Sequence, residues 1–137
     1  MKQIQSSMLA LVLILVAFTS CKKDDTSTNA IVKQGTWRVT LYSDDAVDET
    51  SYFTNYTFTF GENNVVTATN STNTVTGTWT TGIDDSTDKL YLEFGAVTPF
   101  DEISDDWDIL ESTSTKVRLN DVSGGNGGID SLTFEKL

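Results

Sequence analysis

From residue 35 onward the chain alternates apolar and polar positions with a period of two, in a series of short stretches. In GTWRVTLY, Trp37, Val39 and Leu41 share one side, while Arg38, Thr40 and Tyr42 share the other. Successive side chains of an extended strand point to opposite faces, so this alternation predicts strands with one buried face. The device recurs in NYTFTFG (Tyr56, Phe58, Phe60), NVVTATN, NTVTGTWTT (Val75, Gly77, Trp79) and DKLYLEFG (Leu90, Leu92, Phe94). It continues through DWDILES (Trp107, Ile109), TKVRLND (Val117, Leu119) and DSLTFEK (Leu132, Phe134). Turn-forming residues separate most of these stretches: Gly61 to Asn64, Asn70 to Thr72, Gly82 to Ser86, Ser112 to Ser114 and Ser123 to Gly128. Connections this short join antiparallel neighbours in sequential order. PFDEIS is the one helical candidate, with Pro99 suited to a first turn and Asp101 and Glu102 to the positive helix end.

Eight such strands predict an all-β domain, an antiparallel eight-stranded up-and-down β-barrel. A barrel that spans an outer membrane needs an apolar exterior, a polar lumen and strands of about 9–11 residues. Here the strands are shorter and the Thr-, Lys- and Glu-rich face must meet water, so the expected barrel is a water-facing one. Its interior is then either filled by side chains or holds one small ligand.

The N-terminal stretch has a different character. Lys2 and a polar run precede MLALVLILVAF, Met8 to Phe18, and Thr19-Ser20-Cys21 follows. That order of basic, apolar and small residues predicts a signal peptide over residues 1–20. The apolar run falls short of the roughly 20 residues that a membrane-spanning helix needs. Cys21 is the only cysteine and the chain has no histidine, so an intramolecular disulfide is impossible and a thiol nucleophile would lack its usual base. Phe-Thr-Ser-Cys resembles a bacterial lipobox, which implies that Cys21 starts the mature chain and carries lipid. Each buried acyl methylene contributes roughly 0.8 kcal/mol, so several long chains anchor a protein firmly. Residues 22–30, KKDDTSTNA, are charged and small. Residues 21–31 therefore read as a lipidated cysteine with a flexible tether, and 32–137 as the barrel domain. Asp24-Asp25 resembles the export signal of Bacteroidota lipoproteins, which implies an outer-membrane, lipid-anchored protein exposed at the cell surface.

The formal net charge is −11. Removing residues 1–20 takes away one basic residue, Lys2, and leaves eight basic against twenty acidic residues, or −12. Such a surface repels nucleic acid and anionic membrane faces and keeps the protein soluble. The expected membrane contact is the lipid on Cys21, and the expected state is a monomer.

Gly35-Thr36-Trp37 resembles the Gly-X-Trp signature of the lipocalins. In that family the Trp closes one end of an eight-stranded barrel near an Arg from a late strand, and the resemblance implies Arg118 as that counterpart. GTWRV, YTFTF, VTGTW, DDWDI and VSGGNGG, spread over Val32 to Leu137, are similar to landmarks of the small lipocalin-like lipoproteins of Bacteroidota. This chain is shorter than typical lipocalins, has no disulfide, and shows no long helix after the barrel. The resemblance implies non-catalytic binding or transport of a small hydrophobic ligand.

The candidate ligand-binding residues are the inward rings Trp37, Phe58, Phe60, Trp79, Phe94, Trp107 and Phe134. Two outcomes stay open: the rings line an apolar cavity, or they fill it. Gly77 leaves an inward gap that is room for a ligand, for a neighbouring ring, or for a bend. A filled barrel would instead be a structural or interaction module that meets a protein or glycan through loops such as Pro99–Asp108 or Ser123–Ile129.

Acidic clusters occur at Asp44-Asp45 with Asp48-Glu49, at Asp84-Asp85 with Asp88, and at Asp101-Glu102 with Asp105-Asp106-Asp108. Calcium takes six to eight oxygen ligands, but none of the clusters matches an EF-hand loop, and they read as solvated loops. No metal and no cofactor are expected. Zinc and nucleophile–base chemistry lack their usual histidine and cysteine partners. A carboxylate pair at the right separation suffices for glycoside hydrolysis, yet acids are abundant here for a simpler reason, and the expectation is a protein that is not an enzyme.

Overall fold

The computed structural model describes residues 27–122 and 127–137. The expected signal peptide, Cys21, Asp24-Asp25 and residues 123–126 lie outside the described residues. All eight predicted strands form: β1 (Trp37–Asp44), β3 (Thr57–Phe60), β4 (Val65–Thr69), β5 (Thr74–Asp84), β6 (Thr87–Glu93), β7 (Asp106–Ser112), β8 (Lys116–Val122) and β9 (Ile129–Lys136). A two-residue strand, β2 (Val47–Asp48), folds back on the end of β1. From β3 each strand pairs antiparallel with the next, and β9 returns to β1 over Trp37↔Lys136 to Ser43↔Ser131. The sheet is therefore a closed eight-stranded antiparallel barrel with one extra strand.

The alternation holds along most strands and breaks at bulges. On β1 the register to β9 shifts between Val39 and Leu41, leaving Thr40 as an inserted residue. One extra residue exchanges the two faces of everything beyond it. Tyr42 is consequently buried inside the barrel, at 1% exposure, and Leu41 is 39% exposed, the reverse of the predicted sides. A second shift on β7, between Ile109 and Glu111, leaves Leu110 exposed.

Both barrel ends are closed by segments that the strand pattern does not contain. At the end where β1 begins, α1 (Thr28–Val32) is capped by Ser27, whose side chain accepts from the Ala30 N–H. Ile31 and Val32 of α1 are buried, and the Trp37 Nε1–H donates to the Val32 carbonyl at 2.8 Å. Among the described residues, helix thus extends into the stretch read as tether, over Thr28 to Ile31. Five residues cannot hold a helix alone; the burial of Ile31 and Val32 holds this one. At the opposite end, the predicted PFDEIS helix is a single 3-10 turn, Phe100–Ile103, and a second turn, Thr50–Phe53, precedes β3. Phe53, Phe100 and Ile103 all point into the core.

Candidate functional site

All seven rings predicted to face the interior do so, and each is at most 4% exposed. Five of them, Phe58, Phe60, Trp79, Phe94 and Phe134, stack on one another. Near the α1 end, Phe60 lies edge-on to Trp79 at 5.5 Å and to Phe134 at 5.6 Å between ring centroids. Phe134 reaches Phe58 at 5.2 Å, and Phe58 reaches Phe94 at 6.4 Å. Edge-to-face stacking at these separations is the favoured packing of aromatic rings.

Phe100 completes the column from the opposite mouth. Its ring lies 5.6 Å from Phe53, 5.0 Å from Tyr56, 6.1 Å from Phe58 and 5.2 Å from Phe94. The β6–β7 connection that carries it is pinned by polar contacts. Tyr42 Oη donates to the Glu102 carbonyl at 3.2 Å, and Trp107 Nε1 donates to the Ile103 carbonyl at 3.0 Å. Ser104 Oγ accepts from the Phe94 N–H and donates to the Phe100 carbonyl, both at 2.9 Å. The connection plugs that mouth of the barrel, with Phe100 packed on the interior rings. Sequence periodicity missed Phe53, Phe100 and Ile103 because they lie between strands; the apolar residues inside SYF and PFDEIS were the signal available.

Gly77 settles into one of its three open readings. A Cβ there would stand 2.7 Å from Phe94 Cδ1 and would also collide with the Glu93 carbonyl oxygen. The gap belongs to the Phe94 ring. The counterpart of Trp37 is a correction: Lys136 Nζ lies 5.1 Å over the Trp37 ring, whereas Arg118 is exposed and faces Glu111 at 3.4 Å. Arg118 stands on the outward phase of β8, between buried Val117 and Leu119, so it cannot reach the barrel end.

At the plugged mouth the fold regroups the predicted acidic clusters. Asp44 and Asp45 are joined by Asp130 of β9, and Asp105 and Asp106 by Asp121 of β8; within each group carboxylate oxygens lie within 4.8 Å of one another. Asp121 and Asp130 are also direct cross-strand partners, so the two groups form one arc. The Asp130 charge, then burial, raises the Asp44 pKa above the ordinary carboxylate value. Burial first, with the Asp106 and Asp130 charges added, raises Asp121. Burial likewise raises Asp105. Asp106 is lowered, chiefly by its hydrogen bond with Asp105 and further by Lys89. Lys89 contacts Asp108 and lies 3.4 Å from Asp106, and the Asp108 contact holds its pKa above the ordinary lysine value. Tyr42 is raised by burial and by the surrounding carboxylates, which keeps its hydroxyl a donor to the plug.

Two clefts lie outside the ring column, and none of the seven candidate rings lines either. One, of about 210 Å³, sits between α1 and the β5–β7 wall beside Ile83, Lys89 and Ile109. The other, of about 450 Å³, opens between β1 and the chain leading into β3.

No family model matches the chain, and no curated protein matches it. A solved structure does: a crystal structure of a DUF4847 family protein from Bacteroides vulgatus ATCC 8482, at 14% identity and a TM-score of 0.54. The match covers 81% of this chain and 98% of that one. At that identity the likeness is one of fold.

Proposed function

We propose that the protein is a lipid-anchored, non-catalytic binding module of the outer membrane that meets its partner from outside the barrel. The observation that carries this reading is the continuous aromatic column, with Phe100 of the plug at its centre. Carriage of a small hydrophobic ligand, the role implied by the lipocalin resemblance, requires the plug to withdraw and Phe100 to leave its ring contacts. The anchor rests on Cys21 within Phe-Thr-Ser-Cys after an apolar run. Five residues lie between Cys21 and Ser27, so the six Cα–Cα steps joining them span at most about 20 Å and keep the barrel close to the bilayer. The inventory of side chains, without histidine or a second cysteine, favours binding over catalysis.

The test is a pair of measurements on one set of variants. Cys21→Ser is expected to move the protein from the membrane to the soluble fraction of its host, and continued sedimentation with membranes would refute the anchor. The unsubstituted barrel is expected to leave an apolar fluorophore in solution, and saturable one-to-one uptake would show that the interior is a binding site after all.

A further inference from the structure

The barrel wall is incomplete at one place. β9 covers one edge of β1 from Trp37 to Ser43. On the other edge β3 contributes a single pair, Trp37↔Phe58, and β2 pairs only with Ser43 and Asp44. Just after β2, Thr50 Oγ1 accepts from the Tyr42 N–H at 2.9 Å and donates to the Tyr42 carbonyl at 3.3 Å. Between these ends, Arg38 to Leu41 have no strand partner on that edge among the described residues. A ladder continued from Trp37↔Phe58 would set Thr57, Tyr56 and Asn55 against Arg38, Val39 and Thr40. Asn55 instead takes a positive φ of 73°, and the preceding turn swings inward to bury Phe53. The inward demand of the aromatic column thus pulls the chain away from β1 and opens the 450 Å³ groove, floored by Val39 and Phe53. That volume falls in the range of about 300–1,000 Å³ found for ligand sites.

The geometry points to strand addition: this groove receives an extended polypeptide segment of a partner protein, paired to the β1 edge at Arg38–Leu41, with an acidic side chain beside Arg38. An open strand edge offers unpaired main-chain donors and acceptors to another extended main chain, the basis of β-augmentation, with the bulge at Thr40 as a local break in their spacing. Charge specifies the rest. Arg38 is the one charged side chain lining the groove, and it makes no ion pair among the described residues, although acids outnumber bases twenty to nine. Its cross-strand neighbour Glu135 is engaged by Lys116 at 3.1 Å.

This inference rests on the reading of the protein as an outside binder, and one experiment separates the two. An acetylated, amidated TVEVT pentapeptide is titrated into the ¹⁵N-labelled mature protein, with hydrogen exchange followed at the main-chain amides. Slowed exchange and shifted resonances confined to Arg38–Leu41 and Thr54–Thr57 are expected. Arg38→Glu, an exposed substitution that leaves the core intact, is expected to weaken the peptide about fivefold, the scale of an exposed ion pair. A TVKVT peptide should then prefer the variant. Shifts elsewhere on the exterior, a response to neutral oligosaccharide but not to peptide, or indifference to the charge exchange would overturn strand addition while leaving an outside binder standing. No exterior response, together with uptake of an apolar fluorophore into the barrel, would overturn both.

Discussion

Gly77 shows how one position constrains the barrel wall. It sits on β5 among Thr, Val and Trp residues that favour strands, and a glycine there weakens the strand unless something occupies the space. Phe94, the residue that follows the paired strand β6, occupies it. Gly77→Ala is expected to force the ring and the Glu93 carbonyl apart and to cost about 1–3 kcal/mol, the range of overpacked cores. Chemical denaturation would read this as a lower midpoint with an unchanged slope. An unchanged midpoint would mean that the wall yields there without strain. Trp37, Trp79 and Trp107 carry a related lesson, since each is buried with its Nε1–H donated to a carbonyl, of Val32, Gly61 and Ile103 respectively. Each tryptophan thereby fixes one closing segment to the wall, where an unpartnered indole N–H would be costly.

Among the elements, the β6–β7 connection does the most to decide the character of the interior. It has no regular strand or helix beyond the Phe100–Ile103 turn, yet it buries three large side chains, Phe94, Phe100 and Ile103. Phe100→Ala is expected to destabilise the fold by roughly 3–5 kcal/mol, as for other buried rings. The same variant should acquire affinity for an apolar fluorophore, because the vacated volume is lined by Phe53, Phe58 and Phe94. Loss of stability without any gain in binding would mean that the column collapses onto the gap. This element was barely legible in the sequence. PFDEIS reads as a short helix start, and only the position of β6 against β7 brings Phe100 over the mouth. The strands, by contrast, were legible throughout, because a half-buried sheet imposes period two on every sequence that forms it. Leu41 and Tyr42 escaped that logic through a bulge, which leaves no mark in an alternating run until the partner strand is in place.

For the whole molecule the dominant feature is a surplus of acid concentrated at the plugged mouth. Asp44, Asp105 and Asp121 bind protons more readily in the folded chain than in the unfolded one. They therefore subtract stability above their folded pKa values, and the penalty is relieved as pH falls toward the ordinary carboxylate range. Asp48 and Asp106 act oppositely, contributing stability above that range that is lost as pH falls through their lowered values. Lys89 contributes stability below the ordinary lysine value that is lost only as pH rises through its raised one. Thermal stability is thus expected to rise as pH falls from neutrality toward the ordinary carboxylate range and then to fall on further acidification. Asp121→Asn removes a like charge directly opposite Asp130, worth about 0.5 kcal/mol. At pH 7 it should raise Tm by about 2–4 °C, a gain that vanishes once the carboxylates are protonated. A Tm that declines steadily from pH 7, with Asp121→Asn neutral, would show that counter-ions already quench the arc.

The sequence by itself determined eight of the nine strands and their antiparallel order, the barrel, the identity of the seven inward rings and the acid balance. These are local quantities: alternation, turn residues and composition act within a strand and its nearest connection. Only the tertiary structure decided that the rings touch, that Phe53 and Phe100 finish the column, that Lys136 rather than Arg118 covers Trp37, and that β1 parts from β3 beyond a single pair. Those outcomes depend on distances between residues far apart in the chain, set when closure of the sheet forces side chains from every strand to share one interior volume.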